Sequence, residues 1–393
     1  MMKGGRLLVP WYRYPPFRKE GIGGLSVAVW ELTRELAQRG VILDVLTPLS
    51  NGGETNDTAQ AGISVISSDL GERFLRNQPL RREESKFLDG YDAILSVANY
   101  AARTLRSYNQ GLDRITRQIH TIGQDRGIDT YISLKPSIGE YLKMVAARRK
   151  DRRLLQLLAG SKTICVSRCL KNRMQESNLE YSKNLFIVPN GIQTEIFRPM
   201  NVEKKYDLLF IGRFQKSKGL DVLLRALRLI QNTRGEVYKL GIVGEFTDEQ
   251  RTFIVNSTPE AVRKGIVFLG TVQRENMPMV INSGNFVIVP SRYESFGLPA
   301  LEAMTCGIPV LATTVGGLPE IIDETVGALV EPDNDQALAS AIYTSIRDAS
   351  LAQRAAINGP VKARQYDWRV VAPKILQILF PQSEKELRYD IRG

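Results

Sequence analysis

Apolar runs of strand length alternate with amphipathic stretches along most of this 393-residue chain. RLLVP (6–10) leads to a loop and then to GGLSVAVWELTRELAQRG, whose apolar positions recur at helical spacing and which Gly40 closes; ILDVLTP follows. DAILSV (92–97), RITRQIH (114–120), TYISL (130–134) and KTICVS (162–167) continue the series. After IVPNGIQTEIFRPM the rhythm restarts with DLLFIG (207–212), YKLGIVG (238–244), GIVFLG (265–270), NFVIVP (285–290) and PVLATT (309–314). Strands alternating with helices predict parallel βαβ units. The expected fold class is therefore α/β, with two doubly wound Rossmann-like domains facing across a cleft. The pattern places the first domain at 1–198, the second at 199–375, and a C-terminal tail returning to the first domain at 376–393.

Length and composition fit two domains that each bury a core, with 43% hydrophobic and 24% charged residues. No apolar run reaches the length of a membrane span, and MMKGGRLLVPWYRY lacks an apolar secretory leader, so a cytoplasmic protein is expected. Cys165, Cys169 and Cys306 are odd in number and lack metal spacing, which suits reduced thiols. The net charge of +11 is concentrated: residues 1–200 hold 30 Lys and Arg against 20 Asp and Glu, the remainder 23 against 22. Within the basic half, YLKMVAARRKDRRLLQLL (141–158) sets Lys143, Arg148, Arg149, Lys150, Arg152 and Arg153 among apolar residues at helical spacing. Two readings stay open. Such a helix suits anionic lipid headgroups on the inner face of the cytoplasmic membrane, or an acidic acceptor; it equally suits a solvated surface. Nucleic acid is not an expected partner, because no basic segment is interleaved with stacking aromatics.

Chemistry gathers at strand ends of the second half, where open parallel sheets bind ligands. In GRFQKSKGLDVLL, Gly212 lets the backbone turn, and Arg213 and Lys218 ahead of a helix start suit a diphosphate. In FLGTV (268–272), backbone groups at Gly270, Thr271 and Val272 can read the edge of a base. SRYESFGLPALEAMTCGIPVLATTVGG (291–317) sets Glu294 in a loop and Glu302 in the first turn of a helix expected from about Pro299. Amides at Phe296, Gly297 and Leu298 suit phosphate or sugar oxygens, Glu302 the vicinal hydroxyls of a ribose, and Glu294 a sugar hydroxyl. TTVGGLPE adds a Gly-rich turn. Singly, each is an ordinary turn or a solvated charge; together they outline one site.

These segments resemble the retaining glycosyltransferases of the GT-B fold, family 4, also called group 1 glycosyltransferases. The resemblance rests on VSRCLKNRM, IVPNGIQTEIFRP, LLFIGRFQKSKGLDVLLRAL, IVFLGTV and ESFGLPALEAMTCGIPVLATTVGGLPEII, and is dense over 162–345. Its most specific part is the spacing from Glu294 to Glu302 with Phe-Gly inside. The resemblance implies a nucleotide-sugar donor on the second domain, with Arg213 and Lys218 at the diphosphate, Glu302 at the ribose and Glu294 at the donor sugar. It implies no metal and no cofactor beyond the donor substrate itself. It also implies that Gly23 and Gly24 form a glycine loop near the donor phosphates, and that His120, the one histidine of the chain, is catalytic alongside Glu294, Arg213 and Lys218. Two departures stand out: Thr121 occupies a position where family members carry an acid, and Gly40, Val41, Ile42 and Leu43 replace the usual Gly-His-Glu-Val.

The expected activity is retaining, metal-independent transfer of a hexose from a nucleoside diphosphate sugar to an acceptor hydroxyl, with a UDP-sugar preferred and GDP-mannose second. The expected setting is synthesis of cell-envelope polysaccharide or lipopolysaccharide on a lipid-linked or saccharide acceptor. A soluble small-molecule acceptor, a phosphorylase or synthase of the same architecture, and a non-catalytic sugar-nucleotide-binding protein are the alternatives. Asp333-Asn334-Asp335 reads as a helix cap rather than a metal-binding Asp-x-Asp, and Ser167 reads as another cap. No zinc spacing and no Gly-x-Ser-x-Gly nucleophile occurs.

Overall fold

The computed structural model describes residues 5–11, 24–48, 62–76, 78–97, 102–108, 112–119, 160–176 and 184–381. Gly23, His120, TYISL (130–134) and the basic segment 141–158 lie outside the described residues. The described chain divides into two units: one holds the residues up to Gly191 and those from Trp368 onward, the other Ile192–Asp367. The chain thus changes unit at Gly191–Ile192 and again at Asp367–Trp368, against 198 and 375 in the sequence pattern.

Among the described residues the first unit carries seven strands: β1 (Arg6–Pro10), β2 (Ile42–Pro48), β3 (Ile63–Ser68), β4 (Ala93–Val97), β5 (Ile115–Ile119), β6 (Lys162–Cys165) and β7 (Leu185–Ile187). They pair in parallel in the order β3-β2-β1-β4-β5-β6-β7. Every residue of β4 is buried, as expected for a central parallel strand covered on both faces. The helix Gly24–Gln38 buries Ala28, Val29, Leu32 and Leu36, a stripe at helical period. Gly40 ends it with φ of 87°, which a side chain would resist.

The second unit carries β8 (Tyr206–Ile211), β9 (Leu240–Val243), β10 (Ile266–Gly270), β11 (Gly284–Val289), β12 (Val310–Thr313) and β13 (Gly327–Val330), parallel and in the order β10-β9-β8-β11-β12-β13. Leu208, Phe210, Ile242, Ile288 and Leu311 from these strands join Leu223, Leu227 and Ile342 from flanking helices in one core. Each such fully buried side chain contributes about 1.5–3 kcal/mol of transfer free energy. In both sheets the order reverses, between β1 and β4 and between β8 and β11. Loops leaving the two central strands diverge at such a reversal and leave a crevice at the strands' carboxyl ends.

Three strands have no counterpart in the apolar pattern: β3 (ISVISS), β7 (LFI) and β13 (GALV). All three are sheet edges among the described residues, where one flank faces no neighbour and the run is shorter or more polar. β5 deviates in the other direction, for Thr116, Arg117 and Gln118 are all buried within it. Arg117 Nη2 donates to Thr163 Oγ1 across to β6 at 2.8 Å, which satisfies part of its hydrogen-bonding capacity there.

The returning helix Trp368–Leu379 completes the first unit. Trp368 is buried and donates from Nε1 to buried Glu31 Oε2 at 2.8 Å, while Lys162 Nζ reaches the Ile378 carbonyl at 2.8 Å. A Cβ on Gly191 would lie 2.2 Å from the Trp368 ring, so glycine is required at that approach. On the second unit's side, the Ile192 amide donates to the Tyr366 carbonyl at 2.8 Å, and Thr194 bonds the Asp367 carboxylate.

Candidate functional site

The loop after β8 begins at Gly212, whose amide donates to the Val243 carbonyl at 2.9 Å. Arg213 follows and is exposed; its guanidinium has no ion-pair or hydrogen-bond partner among the described residues. A 3-10 turn, Lys216–Lys218, then leads through Gly219 at φ of 69° into the helix Leu220–Arg234. That sharp turn brings the loop against the end of β11, since a Cβ on Gly219 would sit 1.8 Å from the Pro290 carbonyl oxygen. Across this contact Lys218 Nζ donates to Glu294 Oε2 at 2.7 Å, the two side chains being 24% and 12% exposed. Lys218 and Glu294, expected from separate segments, therefore meet beyond the ends of β8 and β11, and Arg213 lies on the same loop as Lys218.

Glu294 is held from the other side by the Gly-rich segment after β12. The Gly317 amide donates to the Glu294 carbonyl at 3.3 Å, and a Cβ on Gly316 would fall 1.5 Å from that carbonyl oxygen, at φ of +57°. Gly316→Ala forces these segments apart and is expected to cost on the order of 3 kcal/mol. Thermal unfolding checks this; an unchanged Tm would show that the close approach is not obligatory.

The ring of Phe296, whose backbone amide is the group expected at a ligand, is buried and edge-on to Tyr366 with centroids 5.8 Å apart. Gly297, at φ of 109°, caps the helix Leu298–Thr305, and a Cβ there would meet Leu318 at 2.7 Å. Pro299 has no N–H, so the first-turn amides on offer are those of Leu298 and Ala300.

Glu302 was expected in the first helical turn. With the helix starting at Leu298, it lies in the second turn, nearly buried at 7% exposure. Its Oε1 accepts from Arg274 Nη1, and the Arg274 guanidinium lies 4.2 Å from the centre of the buried Phe197 ring. The sequence pattern gives no sign of this partner, because Arg274 opens a short 3-10 turn, Arg274–Asn276, in a run of charged and amide residues after β10. Neighbouring Cys306 is pushed up to about 12 by burial first and by the Glu302 charge second, which keeps it a thiol. Burial likewise pushes the Cys165 thiol up to about 12.

At the end of β10, Gly270 takes φ of +68° and its carbonyl accepts from the Gly244 amide at 2.9 Å. Thr271 is exposed and Val272 half-buried beyond it. Gly24 is the first residue of its helix in the other unit. Asn334 caps the helix Asp335–Arg347 by accepting from the Ala337 amide at 2.8 Å, and Ser167 accepts from the Leu170 amide at 3.2 Å. Asp333 and Asp335 are engaged by Arg292 and Arg225.

The family described as Glycosyl transferases group 1 matches residues 192–362, and that described as Glycosyltransferase Family 4 matches residues 22–196. An uncharacterized glycosyltransferase of Methanocaldococcus jannaschii is 32% identical over 62% of this chain and 63% of its own length, so the match spans less than two thirds of that relative. Mannosylfructose-phosphate synthase of Agrobacterium fabrum is 24% identical over 93% of this chain and 88% of its own length. In three dimensions the chain is similar to sucrose-phosphate synthase of Thermosynechococcus elongatus, with a TM-score of 0.76 at 22% identity, covering 97% of this chain and 100% of that one. This last likeness shows a shared two-domain α/β fold.

Proposed function

We propose that this chain, which belongs to the glycosyltransferases of family 4 and group 1, moves a hexose from a nucleoside diphosphate sugar to an acceptor hydroxyl with retention and without a metal ion. The observation that carries this reading is the Lys218–Glu294 contact of 2.7 Å at the reversal point of the second sheet, on the loop that also presents Arg213. In the reaction the bond from the sugar anomeric carbon to the diphosphate oxygen breaks, and the acceptor oxygen bonds that carbon on the same face. The acceptor proton passes to the departing phosphate oxygen. Arg213 and Lys218 offset the charge that grows on the leaving group, Glu294 accepts from a donor-sugar hydroxyl, and Glu302 accepts from the ribose. Backbone groups at Gly270, Thr271 and Val272 read the base edge, and Gly212, Gly297 and Leu298 border the phosphates. His120, which directly follows β5 in the chain, orients the sugar.

A UDP-sugar is the first donor and GDP-mannose the second. The basic first half supports an anionic acceptor: a lipid-linked saccharide of envelope synthesis at the inner membrane face. No helix among the described residues is long and apolar enough to cross a membrane; the contact proposed is peripheral. A soluble sugar phosphate is the second reading. It is favoured by the relative aligned over 93% of the chain, whose name specifies a phosphorylated product.

A thermal-shift screen against UDP, GDP, ADP and their sugars, with EDTA present throughout, tests the proposal. One nucleotide series is expected to raise Tm, by an increment that grows with ligand concentration, and to be turned over. His120→Ala should keep that shift while losing most turnover. A folded wild-type protein that responds to none of these nucleotides would overturn the proposal; a shift with no turnover on lipid-linked or soluble acceptors would make the protein a sugar-nucleotide binder.

A further inference from the structure

Resting on the function proposed above, we infer that Arg292 is a positioning residue that locks the Arg213–Gly219 loop onto the Glu294 loop and so sets the Lys218–Glu294 geometry. Its side chain is 9% exposed. Nη1 donates to the Lys216 carbonyl at 2.6 Å and to Asp221 Oδ1 at 2.7 Å, and Nη2 donates to Asp221 Oδ2 at 2.6 Å. Nε donates to Asp333 Oδ1 at 2.5 Å. The Arg292 backbone amide adds a bond to the Ser217 carbonyl at 2.7 Å. One residue thus ties together segments that follow β8, β11 and β13, and two of its anchors are the carbonyls immediately before Lys218.

The chemistry demands arginine. A planar guanidinium grips a carboxylate with two parallel bonds and keeps a third edge for other acceptors, whereas a lysine ammonium is a point charge on a flexible stem. Burial pushes the Asp221 carboxyl up, but hydrogen bonds and charge from Arg292, and then from Arg225, outweigh it and hold the group below its ordinary value. Asp333, at φ of 57°, is the one non-glycine residue with positive φ among the described residues. That costly backbone persists where its carboxylate meets Arg292. Arg225 supplies the control, since it pairs with the same Asp221 at 2.9 Å and with Asp335 at 3.5 Å but bonds to neither loop.

Two measurements on wild type, Arg292→Lys and Arg225→Ala test the inference. The first needs no donor: native-state trypsin cleavage after Lys216 and Lys218, followed by mass spectrometry. The second is turnover and donor affinity with UDP-glucose and GDP-mannose. Arg292→Lys is expected to accelerate cleavage at those two sites about tenfold or more. It should also lower kcat on the order of 100-fold, the scale of an ångström-sized misplacement, with a much smaller change in donor affinity. Arg225→Ala should match wild type in both. Wild-type cleavage in Arg292→Lys overturns the inference, and so does faster cleavage with an unchanged kcat. Should Arg292→Lys be cut throughout its length, Asp333→Asn decides, because asparagine tolerates the same φ: selective cleavage at Lys216 and Lys218 supports the lock, and none overturns it. A wild type that turns over neither donor counts against the proposed function, while the trypsin comparison still judges the lock.

Discussion

Glu302→Ala is expected to abolish donor binding at concentrations that saturate the wild type, and to lower Tm as well. Two effects combine. An ionised carboxylate accepting from two ribose hydroxyls makes bonds of about 1.5–3 kcal/mol each, so their loss weakens binding by roughly 100-fold or more. The same truncation removes the Glu302 partner of Arg274, whose side chain is 10% exposed beside Phe197, and breaking a buried pair from one side costs about 3–5 kcal/mol. A double variant separates the effects: Glu302→Gln with Arg274→Gln removes both charges, and it should regain most of the lost Tm without regaining the nucleotide. If the double variant binds donor as the wild type does, Glu302 is only the counter-ion of Arg274 and its ribose role falls.

Lys218→Ala carries the second large effect. Removing one fixed charge or donor from a site where negative charge develops lowers kcat by about 10²–10³. Glu294→Ala should also slow the reaction, because it removes both the proposed sugar contact and the group paired with Lys218 at 2.7 Å. Acting as a unit, the two should be non-additive: the double variant is expected to be little worse than the poorer single. The pair is partly exposed, so Tm should move by only a few degrees or less, which separates loss of rate from loss of fold. Rate losses that multiply in the double variant would show that the two residues act independently and that their contact is incidental.

The central strands and the strand-end residues were legible because buried parallel strands are continuous apolar runs, and glycines mark the turns where loops approach one another. DLLFIG, NFVIVP and PVLATT correspond closely to β8, β11 and β12. Edges such as ISVISS carry a weaker pattern, for half of that strand is serine. The arginines that complete the site were not legible for a different reason. Arg274 meets Glu302 across 28 residues and Arg292 meets Asp221 across 71, so only folding reveals that these pairs exist. In the sequence Glu302 reads as a first-turn helix residue; packing sets it in the second turn, nearly buried against Arg274. The motif marked the candidate residues in the sequence, and their arginine partners came from tertiary contacts.

The return of Trp368 to the first unit bears on how the protein is made. A ribosome releases Ile192–Asp367 as an uninterrupted piece, so the second unit has all of its residues before the first does. The unit whose residues emerge first is therefore finished last, and buried Glu31 waits through most of synthesis for the indole at position 368. A stalled or prematurely stopped chain that reaches Asp367 has a whole second unit and an incomplete first one, with the apolar surface meant for Trp368–Leu379 left open to chaperones and to aggregation.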